Sequence, residues 1–338
     1  MYTIREAAHR SGVSIPLLRA WERRYGIVRP ERTASGYRLY DDAALERLRT
    51  MRRLVSDGWT PSTAAAAILS GTAIELPDEA PTGATRGTTP DATLDGTPAT
   101  AADRGATADH IERFVDAAID FDAVRLEGVL DAMFAAGTFE TVADAYLLPA
   151  LVAIGNAWAD GRLGVGGEHA ASHAVLRRLG AAFQAAGRPG PAGGAVLVGM
   201  PPTVRHELGA LAFATAARRA GVPVIYLGPD LPVDEWVATA ERTRARAAVI
   251  GVVTELDIDP AIEVAAALRA TQPALAILFG GRAAERAAER ARLALELGSR
   301  SGAAVGSGLH RPDDSPIALP ERLLPAVEAL RTAIATDR

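Results

Sequence analysis

Two short apolar-faced segments divided by a glycine, with an arginine-framed turn a fixed distance beyond them, constrain the start of this chain more than any other feature. Ile4, Ala7 and Ala8 give the first segment one apolar helical face. Gly12 permits a tight turn, and Ser14 is placed to cap a second helix whose first turn contains Pro16. Arg19, Glu22, Arg23 and Arg24 project from that second helix. Such a helix fits the major groove, where arginine reads guanine edges or holds phosphates. Arg32-Thr33-Ala34-Ser35-Gly36-Tyr37-Arg38 then predicts a β-wing whose tip reaches the neighbouring DNA backbone. An arginine-rich helix alone is more often a solvated surface; the attached wing favours a reader of double-stranded DNA.

Charge supports the same reading once it is taken locally. The chain of 338 residues has a formal net charge of -5. Residues 1–70 hold twelve arginines against seven acidic residues, a local net of +5, which leaves -10 on the remainder. Attraction to phosphate depends on the field within about one Debye length, ~10 Å, so the average does not decide it. The length allows two or three domains, each with its own core. With no cysteine, disulfides and thiolate metal sites are excluded. The start lacks a signal-peptide core and no apolar run is expected to span a bilayer, so a cytoplasmic protein without membrane partners is expected.

Beyond the first 70 residues the pattern changes three times. Residues 71–107 place Pro77, Pro81, Pro90 and Pro98 among Gly, Thr, Ala and Asp without any period, which predicts a mobile linker. Residues 108–188 return to helical spacing and predict a bundle of about four helices. Phe114, Ala117, Ala118, Phe121 and Val124 are expected on one face, followed by Leu126, Val129, Leu130 and Met133, then helices over 146–160 and 168–186. A Gly-rich break separates the last two, so Trp158 ends one helix while Glu168 and His169 begin the next. Residues 193–310 alternate aliphatic runs at 196–198, 224–227, 249–253 and 276–279 with helical segments. This predicts a Rossmann-like, doubly wound α/β domain with a parallel sheet, whose ligands bind at the carboxyl ends of the strands. Residues 311–338 are expected to form a C-terminal helical tail.

Trp21-Glu22-Arg23-Arg24-Tyr25-Gly26 and Arg32-Thr33-x-x-Gly36-Tyr37-Arg38-x-Tyr40 resemble the winged helix-turn-helix domain of MerR-type transcription regulators. The likeness runs from about residue 2 to 70 and takes in helices over 41–54 and 60–69. It implies operator contacts by Ser14, Arg19, Arg23, Arg24, Tyr25, Arg32, Tyr37 and Arg38. Further on, His206-x-x-Gly209, Thr254-x-Leu256 and Gly280-Gly281 resemble the D-x-H-x-x-G, S-x-L and G-G series of cobalamin-binding Rossmann-like domains. Trp158-x9-Glu168-His169 is similar to the helical cap of the CarH/LitR photoreceptors, MerR-type regulators that bind adenosylcobalamin.

That second resemblance implies roles. His206 is the lower axial cobalt ligand, imidazole being suited to that metal. Gly209, Thr254, Leu256, Gly280 and Gly281 follow the displaced nucleotide tail, the glycines admitting it close to the backbone. Trp158 faces the adenosyl group, Glu168 accepts a bond from its ribose, and His169 lines the same face as a candidate upper cobalt ligand after photolysis. Adenosylcobalamin is the implied cofactor, with methylcobalamin the alternative. Two departures stand out. Val204 occupies the acidic position two before the histidine and cannot orient His206 by a hydrogen bond, which sets weaker uptake among the expectations. Ala159 follows Trp158, so no imidazole is offered there; His169 and His173 remain.

Plainer readings of the same residues stand beside these. His206 caps the following helix, Trp158 is bundle core, and Glu168 and His169 are favourable first-turn residues. Asp230, Asp257 and Asp259 invite a metal site but suit turns and caps better. The expectation is a non-enzymatic, light-responsive repressor that forms a dimer or tetramer with adenosylcobalamin in the dark. The alternatives are a cobalamin-independent regulator answering another ligand or protein, and a corrinoid enzyme module.

Overall fold

The computed structural model describes residues 1–13, 15–32, 38–56, 61–70, 93–94, 97–98, 101–187, 194–300 and 316–335. These divide into two compact units, the first comprising Met1–Gly137 with Ala145–Ser172 and the second Thr138–Asp144 with His173–Arg338.

The first unit opens with strand β1 (Tyr2–Thr3) and helices α1 (Ile4–Ser11) and α2 (Ile15–Tyr25). Thr3 and Glu6 form a capping box, visible in the sequence as Thr-x-x-Glu, which satisfies two otherwise orphaned donors at the start of α1. Gly12, at φ 66°, closes that helix in the left-handed region with its N–H on the Ala8 carbonyl, as the turn requires. Leu17, Leu18 and Trp21 bury the inner face of α2. Strands β2 (Glu31–Arg32) and β3 (Arg38–Tyr40) pair antiparallel as the predicted wing. The sequence offered no sign that β1 would join the other side of β3. Helices α3 (Asp42–Ser56) and α4 (Pro61–Ser70) complete the head.

Most of the predicted linker lies outside the described residues. Within it, β4 (Thr93–Leu94) pairs with β5 (Thr97–Pro98), and α5 (Ala101–Ile119) starts earlier than the expected boundary at 108. Helix α6 (Ala123–Phe134) buries Leu126, Val129, Leu130 and Met133 as predicted. Phe121 and Val124 depart from expectation, being 62 % and 86 % exposed. The helical period breaks between them and Phe114, because α5 ends at Ile119 and Phe121 turns to φ 55° before Asp122 caps α6. Helix α7 (Phe139–Val142), a π-helical turn (Ala143–Leu147) and α8 (Leu148–Ala159) run continuously, followed by α9 (Val165–Ala185), within which the two units divide. By length and composition Phe139–Ala159 is apolar enough to cross a membrane, contrary to the sequence expectation. Its acidic residues are nonetheless committed within the second unit. Glu140 pairs with Arg219 at 2.8 Å, and Asp144 accepts the Leu323 N–H at 3.1 Å.

The second unit is built on β6 (Val196–Gly199), β7 (Val224–Gly228), β8 (Ala247–Gly251), β9 (Ala276–Gly280) and β10 (Ile317–Ala318), all parallel, in the order β10-β9-β8-β6-β7. Helices α10 (Leu208–Arg219), α11 (Val233–Thr243), α12 (Ile258–Thr271) and α13 (Ala284–Arg300) connect successive strands, and α14 (Leu323–Ala335) ends the described chain. The near-continuous apolar runs predicted for these strands follow from burial on both faces, complete for β6 and β8. The expected tail at 311–338 is instead part of this unit. Ile317 and Ala318 supply the fifth strand, and α14 buries Leu323, Ala326, Val327, Leu330 and Ile334. A two-residue strand carries too little pattern to be seen in sequence.

Candidate cobalamin and DNA sites

On the head, Arg19 and Arg23 are exposed on α2 and Tyr25 is half-buried at its end. Ser14 and Tyr37 lie outside the described residues, as do the side chains of Arg24 and Arg32. Arg38 has a partner that sequence reasoning missed. Its Nε donates to both carboxylate oxygens of Glu22, at 3.0 and 3.1 Å, and the Tyr40 hydroxyl donates to Glu22 Oε2 at 3.1 Å. Burial, then the Glu22 carboxylate, pushes the Tyr40 hydroxyl far up, so it stays a donor. Strand β3 is thereby fastened to the recognition helix α2.

Trp158 sits in the last turn of α8 and is buried; Glu168 stands in the first turn of α9. Two glycines bring α9 into place. A side chain at Gly167 would meet the Ala118 carbonyl oxygen and Leu163 Cδ1, both at 2.5 Å, and one at Gly166 would meet the Phe121 ring. Gly166 and Gly167 are therefore required by close packing of the start of α9 on the end of α5. Glu168 accepts a hydrogen bond from Ser172 Oγ at 2.9 Å and lies 3.3 Å from His169 Nδ1, with both His169 and His173 exposed.

In the α/β unit the strand order turns back between β6 and β8. Such a switch point opens a crevice at the strands' carboxyl ends. The loop after β6 carries His206, the loop after β8 carries Thr254 and Leu256, and the loop after β9 carries Gly281, so the topology brings these predicted residues to one edge. His206 is half-buried and does not cap α10, whose N-cap residue is Glu207 and which has no side-chain cap. Of its neighbours, Glu207 is held and Arg205 is exposed. Tyr226 Oη donates to Glu207 Oε2 at 2.7 Å, and Arg205 lies 3.7 Å from Asp230. Asp230 also accepts the Thr203 N–H at 2.7 Å and returns its own N–H to the Val204 carbonyl at 2.9 Å. Thr203 and Asp230 both sit at positive φ, 68° and 55°, a conformation uncommon outside glycine and concentrated at functional loops.

Val204 itself is buried, pointing an aliphatic side chain inward where a carboxylate would have no water. Thr254 is buried too, and Asp257 anchors its loop by accepting the N–H groups of Val253 and Thr254, each at 2.9 Å. Asp259 pairs with Arg290 at 2.7 Å. The three aspartates thus serve as turn, cap and ion-pair residues, and among the described residues no group of three or more His, Asp or Glu is arranged to hold a metal ion.

The glycines divide by cause. Gly281, at φ 112°, would put a Cβ 2.5 Å from the Val252 carbonyl oxygen, so the fold alone demands glycine there. Gly280 would make only ordinary contacts, at 3.7 Å, and Gly209, exposed in the first turn of α10, would meet nothing. A helical glycine costs about 1 kcal/mol against alanine. Neither Gly209 nor Gly280 is required by a steric clash or by a positive φ. His206 lies on the same edge, and an imidazole is a donor suited to cobalt.

The MerR HTH family regulatory protein profile matches residues 2–70, and a B12 binding domain profile matches residues 110–182. The chain is 33 % identical over 241 residues to the HTH-type transcriptional repressor CarH of Myxococcus xanthus, covering 69 % of this chain and 73 % of CarH. It is 31 % identical over 232 residues to CarA of the same organism, covering 68 % of each. Among solved structures, the monomethylamine corrinoid protein of Methanosarcina barkeri aligns with 67 % of this chain and 99 % of its own at 12 % identity and a TM-score of 0.48. The chain belongs to the family of CarH and CarA, MerR-type transcription regulators in which a helix-turn-helix head precedes a B12-binding region.

Proposed function

We propose that this regulator represses transcription in the dark with adenosylcobalamin bound and releases DNA on illumination. The observation that carries the cofactor reading is that the topology brings His206, Thr254 and the pair Gly280 and Gly281 to one edge, at the carboxyl ends of the strands beside the switch point. When bound, adenosylcobalamin supplies a Co–C bond that visible light breaks. His206 offers an imidazole nitrogen from a loop whose next residue, Glu207, is held by Tyr226. Thr254, held by Asp257, lies in the loop after β8, beside the switch point. In the bundle, Trp158 provides an apolar ring, Glu168 an acceptor whose free lone pairs suit a ribose hydroxyl, and His169 an exposed imidazole as candidate upper ligand. The proposed domains are the head at 1–70, a linker, the bundle cap, and an α/β domain extended through α14.

The visible spectrum of the purified full chain tests this, recorded with adenosylcobalamin or methylcobalamin, in darkness and after green light. A cobalamin spectrum that co-elutes with the protein, is diminished in His206→Ala and changes on illumination is the expected result. Cobalamin that elutes apart from the protein sinks the cofactor reading and leaves a cobalamin-independent regulator. Uptake without any light-dependent change in DNA binding sinks the light switch alone.

A further inference from the structure

Four hydrogen bonds fasten the loop that carries His206 to the loop at the end of β7. The Met200 N–H reaches the Gly228 carbonyl at 3.0 Å, and the Leu231 N–H reaches the Met200 carbonyl at 3.3 Å. Asp230 closes the set in both directions. Its N–H donates to the Val204 carbonyl at 2.9 Å, and its Oδ1 accepts the Thr203 N–H at 2.7 Å. Three of these bonds are made between backbone groups and any residue could supply them. The bond to Thr203 depends on the side chain at position 230.

Both ends of that bond hold a left-handed backbone, Thr203 at φ 68° and Asp230 at φ 55°. Aspartate tolerates this region, but a β-branched residue such as threonine is an outlier there and leaves it unless its surroundings over-determine it. Burial of the two side chains is not the cause, since both are exposed. The Asp230 carboxylate is what holds Thr203 in place. Val204 follows with its side chain in the core and its carbonyl on the Asp230 N–H, and two residues later comes His206. Fixing Thr203 and the Val204 carbonyl therefore sets the direction in which the chain arrives at the imidazole.

We propose that Asp230 is a positioning residue for His206, filling from the neighbouring loop a role for which position 204 has no carboxylate. It acts through the backbone of residues 203 and 204 and not on the imidazole, so what matters is an acceptor at that place rather than a charge. The inference rests on the reading of His206 as the cobalt ligand. A ligand already held in place loses less freedom on binding, and metal affinity rises with the order of the residues that support it.

The test compares the full chain as wild type, Asp230→Gly, Asp230→Asn and Asp230→Glu. Glycine accepts the left-handed backbone and keeps the N–H bond to Val204 while removing the acceptor. Asparagine keeps an acceptor without the charge, and glutamate keeps the charge but moves the acceptor. In the cobalamin-free protein, amide hydrogen exchange at Thr203 should lose its protection in Asp230→Gly and Asp230→Glu and keep it in Asp230→Asn. Cob(II)alamin is then added to protein whose histidines carry heavy nitrogen, and its electron paramagnetic resonance spectrum is recorded. A labelled histidine ligand splits the cobalt lines into doublets, whereas the cobalamin's own base splits them into triplets. Wild type and Asp230→Asn should give doublets; Asp230→Gly should show a smaller share of them and an affinity for cob(II)alamin lower by about ten-fold. Should Asp230→Gly fail to fold, Asp230→Glu carries the comparison. Full doublets and unchanged affinity in Asp230→Gly overturn the positioning role while leaving His206 the ligand. An equal loss in Asp230→Asn overturns it as well, because charge and not the acceptor is then responsible. Wild type without doublets removes His206 as the ligand, and the inference falls with that reading.

Discussion

Arg38 shows how one side chain changes meaning once its surroundings are known. From sequence it is a wing cation aimed at phosphate; in the fold its Nε is held by Glu22 on the recognition helix. Both roles are compatible, because the remaining guanidinium donors stay available. Arg38→Ala is expected to weaken operator and unrelated DNA alike and to make the salt slope shallower by about one. Glu22→Ala should weaken binding without a shallower slope, since it loosens the wing and removes no cation. Titrations at several salt concentrations separate the two, and unchanged binding in Arg38→Ala removes the wing from the DNA interface. Val204 changes meaning in the opposite direction. Its departure from the acidic pattern suggests a repair by glutamate, yet its side chain is buried. Val204→Glu should destabilise the chain by on the order of 3 kcal/mol rather than improve uptake, as urea unfolding would show. A stable Val204→Glu with stronger cobalamin binding would contradict this account of the loop.

At the scale of elements, two adjacent glycines make separable predictions. Gly281→Ala meets the Val252 carbonyl and an unfavourable φ, and should cost about 1–3 kcal/mol from backbone strain alone. Gly280→Ala should leave the unfolding midpoint nearly unchanged while lowering cobalamin uptake. Equal uptake by Gly280→Ala and wild type would leave that glycine without a ligand role. The π-helical turn supplies a pH test. Burial raises the Asp144 carboxyl above its ordinary 3.8, and the Leu323 N–H and Arg322 pull it down by less. The native state then keeps the proton to higher pH than the unfolded chain, so stability should fall as pH rises from the ordinary value through the raised one. Asp144→Asn retains an acceptor for the Leu323 N–H and carries no charge, and should abolish that fall. Denaturation midpoints of the two proteins between pH ~3 and ~7 give the comparison. Parallel pH profiles would mean that Asp144 titrates normally.

For the whole molecule, the charge asymmetry and the proposed switch belong together. The +5 of residues 1–70 is small beside the many phosphates of an operator, and the proposed assembly of several heads would make later contacts intramolecular. If loss of the adenosyl group removes an interaction that favours the assembled state, light should dissociate the oligomer and weaken DNA binding in step. Size-exclusion chromatography of the cobalamin complex in darkness and after green light, paired with DNA titrations, measures both. The same elution volume in both conditions, with altered DNA affinity, would place the switch within one chain.

Much of this protein is determined by local sequence. Capping residues, Gly12 and the apolar periods set the head, and unbroken aliphatic runs set the four longer strands, because each signal acts within a few residues of itself. His206, Thr254 and the glycine pair were named from their resemblance to the motif series of cobalamin-binding domains. Tertiary structure decided what depends on residues far apart. The Glu22–Arg38–Tyr40 link, the pairing of Tyr2–Thr3 with the wing, the fifth strand at Ile317–Ala318 and the Asp230–Thr203 tie join segments with no mutual periodicity. The two glycines at 280 and 281 make the distinction sharpest. In sequence they are equivalent, and only the Val252 carbonyl approaching Gly281 shows which of them the fold itself requires.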